Sequence, residues 1–207
     1  MKHLIYSTLT LSAAALLTLA SCKSDMKSEN KGGADSSKAT AAVMSPVERG
    51  KYLVTIASCN DCHTPMKMGP SGPAPDMSRM LSGHPEGMAM PPAPKMDMPW
   101  MVSGAWTMTA WSGPFGTTFT ANLTPDSTTG LGKCSEADFI KIFKTGMMFG
   151  INRPIMPPMP VEYVKQMSDD DLKAVYAYLR TIPPVKNKVP DYMPPKGAMA
   201  MGGAPKK

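Results

Sequence analysis

"SCNDCHTP", residues 58–65, is the stretch on which the interpretation of the whole chain depends. It separates Cys59 from Cys62 by two residues and places His63 directly after the second thiol. A CxxC pair can be a redox dithiol, half of a zinc site or the attachment point of a haem. A four-cysteine zinc site is excluded, because the remaining cysteines, Cys22 and Cys134, do not form a second CxxC.

The histidine favours the haem interpretation, because CxxCH is the attachment signature of c-type haem. Two thiols can bond the two vinyl groups on one side of the porphyrin, and the adjacent imidazole can then turn under the ring to bind the iron. We therefore predict one covalent haem c, attached through Cys59 and Cys62, with His63 as an axial iron ligand. A thioredoxin-like dithiol is the alternative, but it should follow a strand in a βαβ pattern, and no such pattern precedes the motif.

The amino terminus predicts export and lipidation. Lys2 gives a positive start, and residues 9–20 form an apolar run too short to span a bilayer as a mature helix. The run ends in "TLASC", which is typical of a bacterial lipobox, so we predict a signal peptide over residues 1–21 and a lipid on Cys22. Ordinary secretion with cleavage near residue 21 is the alternative. Lys23, rather than an aspartate, follows the lipidated residue, so we expect an outer-membrane anchor with the domain facing the periplasm.

Composition predicts a modest core with long loops, because 22 prolines, 17 glycines and 21 methionines accompany only five phenylalanines. The net charge of +6 comes from scattered basic residues, which gives no nucleic-acid surface. We predict a flexible tether over 22–43, one domain over 44–187 with a loop insertion at 64–104, and a disordered tail over 188–207.

Three helices are predicted inside that domain, and no strand is. The first begins with a capping box at Ser45 and runs through about residue 57, directly into the CxxCH motif. The second lies between a Ser135 cap and Gly146, and the third starts at Ser168 and stops before the prolines at 183 and 184. The expected fold class is therefore all-α, with three or more short helices and long loops rich in Pro, Gly and Met.

The order of the motifs resembles a mono-haem class I cytochrome c domain. It is similar to the domains found in the cytochrome subunits of membrane dehydrogenases. The resemblance spans about residues 46–187 and rests on "RGKYLVTIASCNDCHTP", "LSGHP", "GPFGTTFTANLTPD", "DFIKIFKTG", "PPMP" and "DLKAVYAYLRTIPPV". It implies a cytochrome c-like fold around one haem, in which the first and last helices cross. Gly50 would be the point of close approach, opposite Tyr178 or Leu179.

The resemblance also implies a second axial ligand, Met159, in the "MP" step that precedes Asp171. Met156 is the close rival, and a thioether ligand suits electron transfer. Where the family usually has a tryptophan after "GLGK", this chain has Cys134. We interpret Cys134 as a small buried hydrophobe, with a reactive or intermolecular thiol as the alternative.

Other candidate residues have weaker signals. His84 could be a sixth iron ligand or a copper ligand, but a loop histidine bonded to backbone is the simpler interpretation, and we assign it no site. Thioethers select Cu(I), so the three M-x-M pairs could handle copper if they converge, or they could serve as adaptable packing. These pairs are Met66/Met68, Met88/Met90 and Met96/Met98. Four further residues lie in segments expected to line or cover the haem, namely Trp106, Trp111, Asn122 and Arg153; the arginine could pair with a propionate.

Together these features predict an electron carrier rather than an enzyme. Single electrons would pass through a His63/Met159-ligated haem c between a donor and an acceptor redox protein, either by the domain alone or within a dehydrogenase or reductase complex. The alternative is a haem enzyme or sensor with an open sixth iron position that binds peroxide or a gas.

Overall fold

A computed structural model describes residues 44–148, 150–151 and 153–195. The predicted signal peptide, Cys22, the tether over 22–43 and the part of the predicted tail beyond 195 lie outside the described residues. In the described part, the α-helices are α1 Pro46–Ile56, α2 Cys59–His63, α3 Glu136–Thr145, α4 Val161–Val164 and α5 Asp169–Leu179. The strands are β1 Met66–Gly69, β2 Gly72–Pro75, β3 Ser103–Gly104, β4 Ala110–Gly113 and β5 Gly116–Phe119. None of the helices described is long and apolar enough to cross a membrane.

The all-α prediction is wrong, because two antiparallel sheets accompany the helices and make the fold mixed. Strands β1 and β2 form a hairpin inside the region predicted as a loop insertion, and β3, β4 and β5 form a three-stranded meander. Each strand has only two to four residues, and each has a glycine at one end. Segments this short cannot display the alternation of apolar and polar residues from which a strand is predicted.

The three predicted helices are confirmed together with their caps. The Ser45 hydroxyl accepts the backbone N–H of Glu48, while the Glu48 carboxylate accepts the backbone N–H of Ser45, which completes the capping box. The side chains of Ser135 and Ser168 likewise accept backbone N–H groups in the first turns of α3 and α5. Gly146 ends α3 in the left-handed conformation, with φ 69°. These signals are local, so the sequence alone places them well.

The core forms where α1 packs on α5, with α3 beside them. Gly50 is the point of closest approach, since a Cβ built there would lie 1.9 Å from the carbonyl oxygen of Ala174 and 2.8 Å from Cβ of Tyr178. The close approach expected at Gly50 is therefore present, and Tyr178 rather than Leu179 faces it. The buried apolar side chains of this core are Leu53, Val54, Leu81, Cys134, Phe139, Leu172, Ala174, Val175, Leu179 and Ile182.

The described chain continues past residue 187, where the domain was predicted to end. Thr117 and Met193 exchange two backbone hydrogen bonds, of 2.8 and 3.0 Å, which lay the segment leading to Pro195 along β5. Asn187 itself is fully buried. Its amide donates to the carbonyls of Ser82 and His84, and its oxygen accepts the backbone N–H of Glu86. The side chain of Asn187 thus links the carboxy-terminal segment to the loop over residues 82–86.

Candidate haem site

One helical turn presents the three residues of the CxxCH motif. Helix α1 ends at Ile56, and Ser58 adopts a left-handed backbone, φ 55°, that turns the chain into α2. Within α2, Cys62 and His63 follow Cys59 at the i+3 and i+4 positions. Side chains at these spacings project from the same side of a helix. Both thiols and the imidazole therefore leave the backbone on one side.

A backbone carbonyl fixes the ring of His63. Its Nδ1 lies 2.8 Å from the carbonyl oxygen of Ala121, and the side chain is 9 % exposed. A carbonyl can only accept, so Nδ1 carries the proton and the neutral ring keeps a lone pair on Nε2. Burial lowers the pKa of His63, which favours that neutral form, although the Ala121 carbonyl opposes the shift. A histidine that donates from one nitrogen to a backbone carbonyl is oriented to bind a metal with the other.

The burial of the two thiols does not favour a redox dithiol. Cys59 and Cys62 are both half-buried and are not bonded to each other. Burial raises the pKa of Cys59 to about 11, and burial also raises the pKa of Cys62. A thiol–disulfide enzyme needs a thiolate stabilised at a lowered pKa, so both shifts run against that alternative.

Buried hydrogen bonds also fix the chain immediately after the CxxCH motif. Thr64 is fully buried; its hydroxyl pairs with the side chain of Asn60 at 2.9 Å and accepts the N–H of Leu81 at 2.9 Å. The carbonyl of His63 accepts the N–H of Gly83 at 2.7 Å. These bonds fasten α2 to the segment around Leu81, so the position of His63 is set from both its ring and its backbone.

The predicted sixth ligand lies on a loop that β5 holds in place. The Thr118 hydroxyl donates to the carbonyl of Pro157 at 3.0 Å, between Met156 and Met159. Both methionines are half-buried, and the N–H of Met159 reaches the carbonyl of Met156 at 3.4 Å in a turn. The strand that supports this loop continues directly to Ala121, the residue whose carbonyl orients His63. The choice of Met159 over Met156 stays a prediction.

The remaining candidates have different surroundings. His84 is fully buried; its Nδ1 lies 3.0 Å from the hydroxyl of Thr109, and burial lowers its pKa. Asn122 is buried and joins two loops, since its amide donates to the carbonyl of Val185 and its oxygen accepts the N–H of Thr124. Arg153 stacks on the ring of Tyr192, at 4.9 Å from the centroid. Trp106 is 54 % exposed, whereas Trp111 is half-buried.

Two further candidates from the sequence are Cys134 and the M-x-M pairs. Cys134 is buried within the apolar core, as expected of a small hydrophobe, and burial raises the pKa of its thiol. Among the M-x-M pairs, Met68 and Met98 are largely exposed. The idea that the three M-x-M pairs converge to bind copper stays a hypothesis.

The two thiols and the imidazole on α2 suit a metal that is already bound in a macrocycle. In the part of the chain that the structure describes, no group of three or more His, Cys, Asp or Glu side chains converges to hold an ion by protein ligands alone. The motif instead offers one oriented imidazole flanked by two thiols on the same side of a helical turn. This arrangement fits haem c, which needs two thioether attachments and one histidine ligand.

Sequence reasoning missed the groups that orient the motif. The acceptor for His63 is a backbone carbonyl, that of Ala121, which side-chain identity does not reveal. Thr64 and the hydroxyl pair behind His84, Thr107 and Thr109, are fully buried, yet nothing in their sequence neighbourhoods signals burial. Asn187 was predicted to be the last residue of the domain, after the prolines that stop the last helix, and its burial was not expected.

No protein-family model matches the chain. The gluconate 2-dehydrogenase cytochrome c subunit of Pantoea cypripedii is 30% identical over 132 residues, 64% of this chain and 22% of that protein. The cytochrome c subunit of alcohol dehydrogenase (quinone) from Gluconobacter oxydans is 27% identical over 148 residues, 70% of this chain and 24% of that protein. The fructose dehydrogenase cytochrome subunit of Gluconobacter japonicus is 27% identical over 135 residues, 65% of this chain and 21% of that protein. The chain thus spans less than a quarter of these relatives. The similarity supports a cytochrome c family and an electron-carrying role at that level.

Proposed function

We propose that this protein is an electron-transfer cytochrome with one covalent haem c, bonded through Cys59 and Cys62 and ligated by His63 and Met159. The observation that carries the proposal is the 2.8 Å contact between Nδ1 of His63 and the carbonyl of Ala121, which leaves the lone pair of Nε2 available to bind iron. When bound, the haem would supply a one-electron iron couple.

The chain's own residues would hold that couple and set its environment. Ala121 keeps the imidazole in one tautomer and raises its basicity as a ligand. The bond from Thr118 to Pro157 fixes the loop that carries the thioether, whose soft sulfur favours the reduced metal. The relatives are named as cytochrome subunits of dehydrogenases, so we infer an electron carrier rather than an enzyme. Its partners would be a donor and an acceptor redox protein, and the names of the relatives make a dehydrogenase complex one setting to test.

Spectroscopy tests the proposal and its main alternative. The purified protein should give a pyridine haemochrome of haem c, keep its haem in a denaturing gel, and show low-spin visible bands with the weak near-infrared sulfur-to-iron band when oxidised. Met159→Ala should abolish the near-infrared band, whereas Met156→Ala should leave it unchanged. The reverse result would move the ligand to Met156, and high-spin bands in the unaltered protein would favour an open sixth position that binds peroxide or a gas.

The cellular location is a separate part of the proposal. We infer a bacterial lipoprotein that is anchored to the outer membrane through Cys22, with its domain facing the periplasm. The support is the apolar run over 9–20 together with "LASC" at residues 19–22. Cys22→Ser should move the cytochrome from the membrane fraction to the soluble fraction, with Ser24→Ala as the matched control. A Cys22→Ser protein that stays with the membrane would contradict lipid anchoring without affecting the haem assignment.

A further inference from the structure

The loop that carries the two candidate methionine ligands has few backbone hydrogen bonds of its own. Four of the seven residues over 154–160 are prolines, which have no N–H to donate. Ile155 donates its N–H to the carbonyl of Gly146 at 2.8 Å, where α3 ends. Met159 makes only the long turn contact with Met156, at 3.4 Å. The position of this loop therefore depends on contacts from outside it.

The carboxy-terminal strap, residues 187–195, crosses β5 beside one of these contacts. Met193 exchanges two backbone hydrogen bonds with Thr117, the neighbour of the residue that donates to the methionine loop. A Cβ built on Gly116 would lie 2.2 Å from the carbonyl oxygen of Met193. Gly116 also has φ 95°, a conformation that favours glycine. The strap is thus held closely against β5 at a position where a side chain would exclude it.

Tyr192 connects the strap to the methionine loop. Its hydroxyl donates to the carbonyl of Phe115 in the turn between β4 and β5, which ties the ring to the meander. The guanidinium of Arg153 lies over that ring, at 4.9 Å from the centroid. The negative face of an aromatic ring attracts a cation, and a planar guanidinium stacks on it well. In the described residues, the side-chain hydrogen bonds of Arg153 stay within its own segment, with Met148 and Pro154.

Arg153 is placed to transmit this contact to the candidate ligands. Its carbonyl accepts the N–H of Met148 at 2.9 Å, so its backbone is held in a short antiparallel pairing. Met156 and Met159 follow Arg153 by three and six residues. The prolines between them restrict φ, so this stretch has little freedom to absorb a movement of its first residue. A displacement of Arg153 should therefore displace the thioethers as well.

We propose that Tyr192 is a positioning residue for the sixth iron ligand, because the strap holds the methionine loop through the stack of Arg153 on Tyr192. This inference rests on the proposed function, since it requires a haem iron that a methionine of this loop ligates. It does not depend on the choice between Met156 and Met159, because both follow Arg153. The strap keeps the thioether on the iron and so lowers the population in which the sixth position is open to another ligand.

Titration of the oxidised, haem-loaded protein with imidazole measures that population, because imidazole binds only where the methionine has left the iron. Loss of the near-infrared sulfur-to-iron band follows the binding. An exposed cation–π contact corresponds to a factor of about two to five in population, so Tyr192→Leu and Arg153→Gln should each lower the Kd of imidazole by about that factor. Tyr52→Leu is the matched control, since Arg49 lies over the ring of Tyr52 at 5.8 Å on α1, outside the loop. Its Kd should equal that of the unaltered protein.

The double variant separates positioning from a general loss of stability. Tyr192→Leu combined with Arg153→Gln should bind imidazole no more tightly than either single variant, because both changes remove the same contact. Effects that multiply, an unchanged Kd in either single variant, or an equal fall of Kd in Tyr52→Leu would each overturn the role of the strap.

The outcomes also separate this inference from the function on which it rests. If the unaltered protein carries no haem c or lacks the near-infrared band, the proposed function fails and the role of the strap fails with it. If the band is present and the Tyr192 and Arg153 variants bind imidazole like the unaltered protein, the role of the strap alone is overturned.

Discussion

Replacing Gly50 by alanine tests the contact between α1 and α5 on which the core depends. The added Cβ would lie 1.9 Å from the carbonyl oxygen of Ala174, 2.6 Å from the carbonyl carbon of that residue and 2.8 Å from Cβ of Tyr178. Restoring an ordinary contact requires a shift of about 1.5 Å. The obstructing atoms belong to the backbone and to a Cβ, so no side-chain rotation relieves the clash and the two helices must move apart.

Two opposing terms set the size of the effect. Overpacking a core costs about 1–3 kcal/mol and occasionally more. Alanine has a higher helix propensity than glycine, which returns about 0.8–1.0 kcal/mol. Because the clash at Gly50 is with backbone, the overpacking term should lie at its upper end. The net loss in the free energy of unfolding is then about 2 kcal/mol, or about 4–8 °C in Tm for a domain of this size.

Thermal and urea unfolding of the haem-loaded protein, followed by far-UV circular dichroism, measure this loss. Lys51→Ala is the matched control, since Lys51 is the next residue of α1 and is exposed. Gly50→Ala should unfold earlier in both experiments, and Lys51→Ala should behave like the unaltered protein. Helix propensity alone predicts a gain in stability for Gly50→Ala. A Tm that is unchanged or raised would therefore refute the close contact between the helices.

Two further predictions concern the loops. Asn187→Ala should lower the free energy of unfolding by about 2–4 kcal/mol in urea, because it leaves several buried backbone groups unpaired, while the exposed Lys186→Ala should have little effect. The hydroxyls of Thr129 and Thr128 lower the pKa of Asp126 to about 2. This carboxylate stabilises the fold at neutral pH, and the contribution disappears as the pH falls from about 4 through about 2. Asp126→Asn should lower the urea midpoint at neutral pH and flatten that acid-side decline; identical pH profiles would contradict the linkage.

Local signals explain why the helices could be predicted. Ser45, Ser135 and Ser168 each cap a helix within three residues of themselves, and Gly146 ends one through its own backbone conformation. The CxxCH motif is local as well, because its two thiols and its histidine lie within helix α2. Each of these features is determined by fewer than about six neighbouring residues, so no knowledge of the tertiary fold is required.

Whether such a short segment forms a strand depends on the strand with which it pairs. The sequence pattern of the segment itself does not show that partner. Strand β3 has two residues and gains its identity only from the pairing of Ser103 with Ser112. Strand β2 reads "GPAP", a composition that argues against any strand, yet it pairs with β1 across a two-residue turn. Tertiary pairing overrides the intrinsic preference of such short segments. The prediction of an all-α fold failed for this reason.

The missed strands and the gaps in the predicted site have the same origin. The segment over 118–121 continues β5, and in four residues it supports the Met159 loop through Thr118, presents Thr120 as an unpaired donor and orients His63 through Ala121. Two of these three roles are filled by groups whose partners are more than 30 residues away in sequence. When the chain is interpreted as helices and loops only, it contains no strand to which these three roles could be assigned. The helices therefore position the CxxCH motif, and under the proposed function the meander would form the surroundings of the haem, so variants of β5 should alter the haem environment more than its attachment.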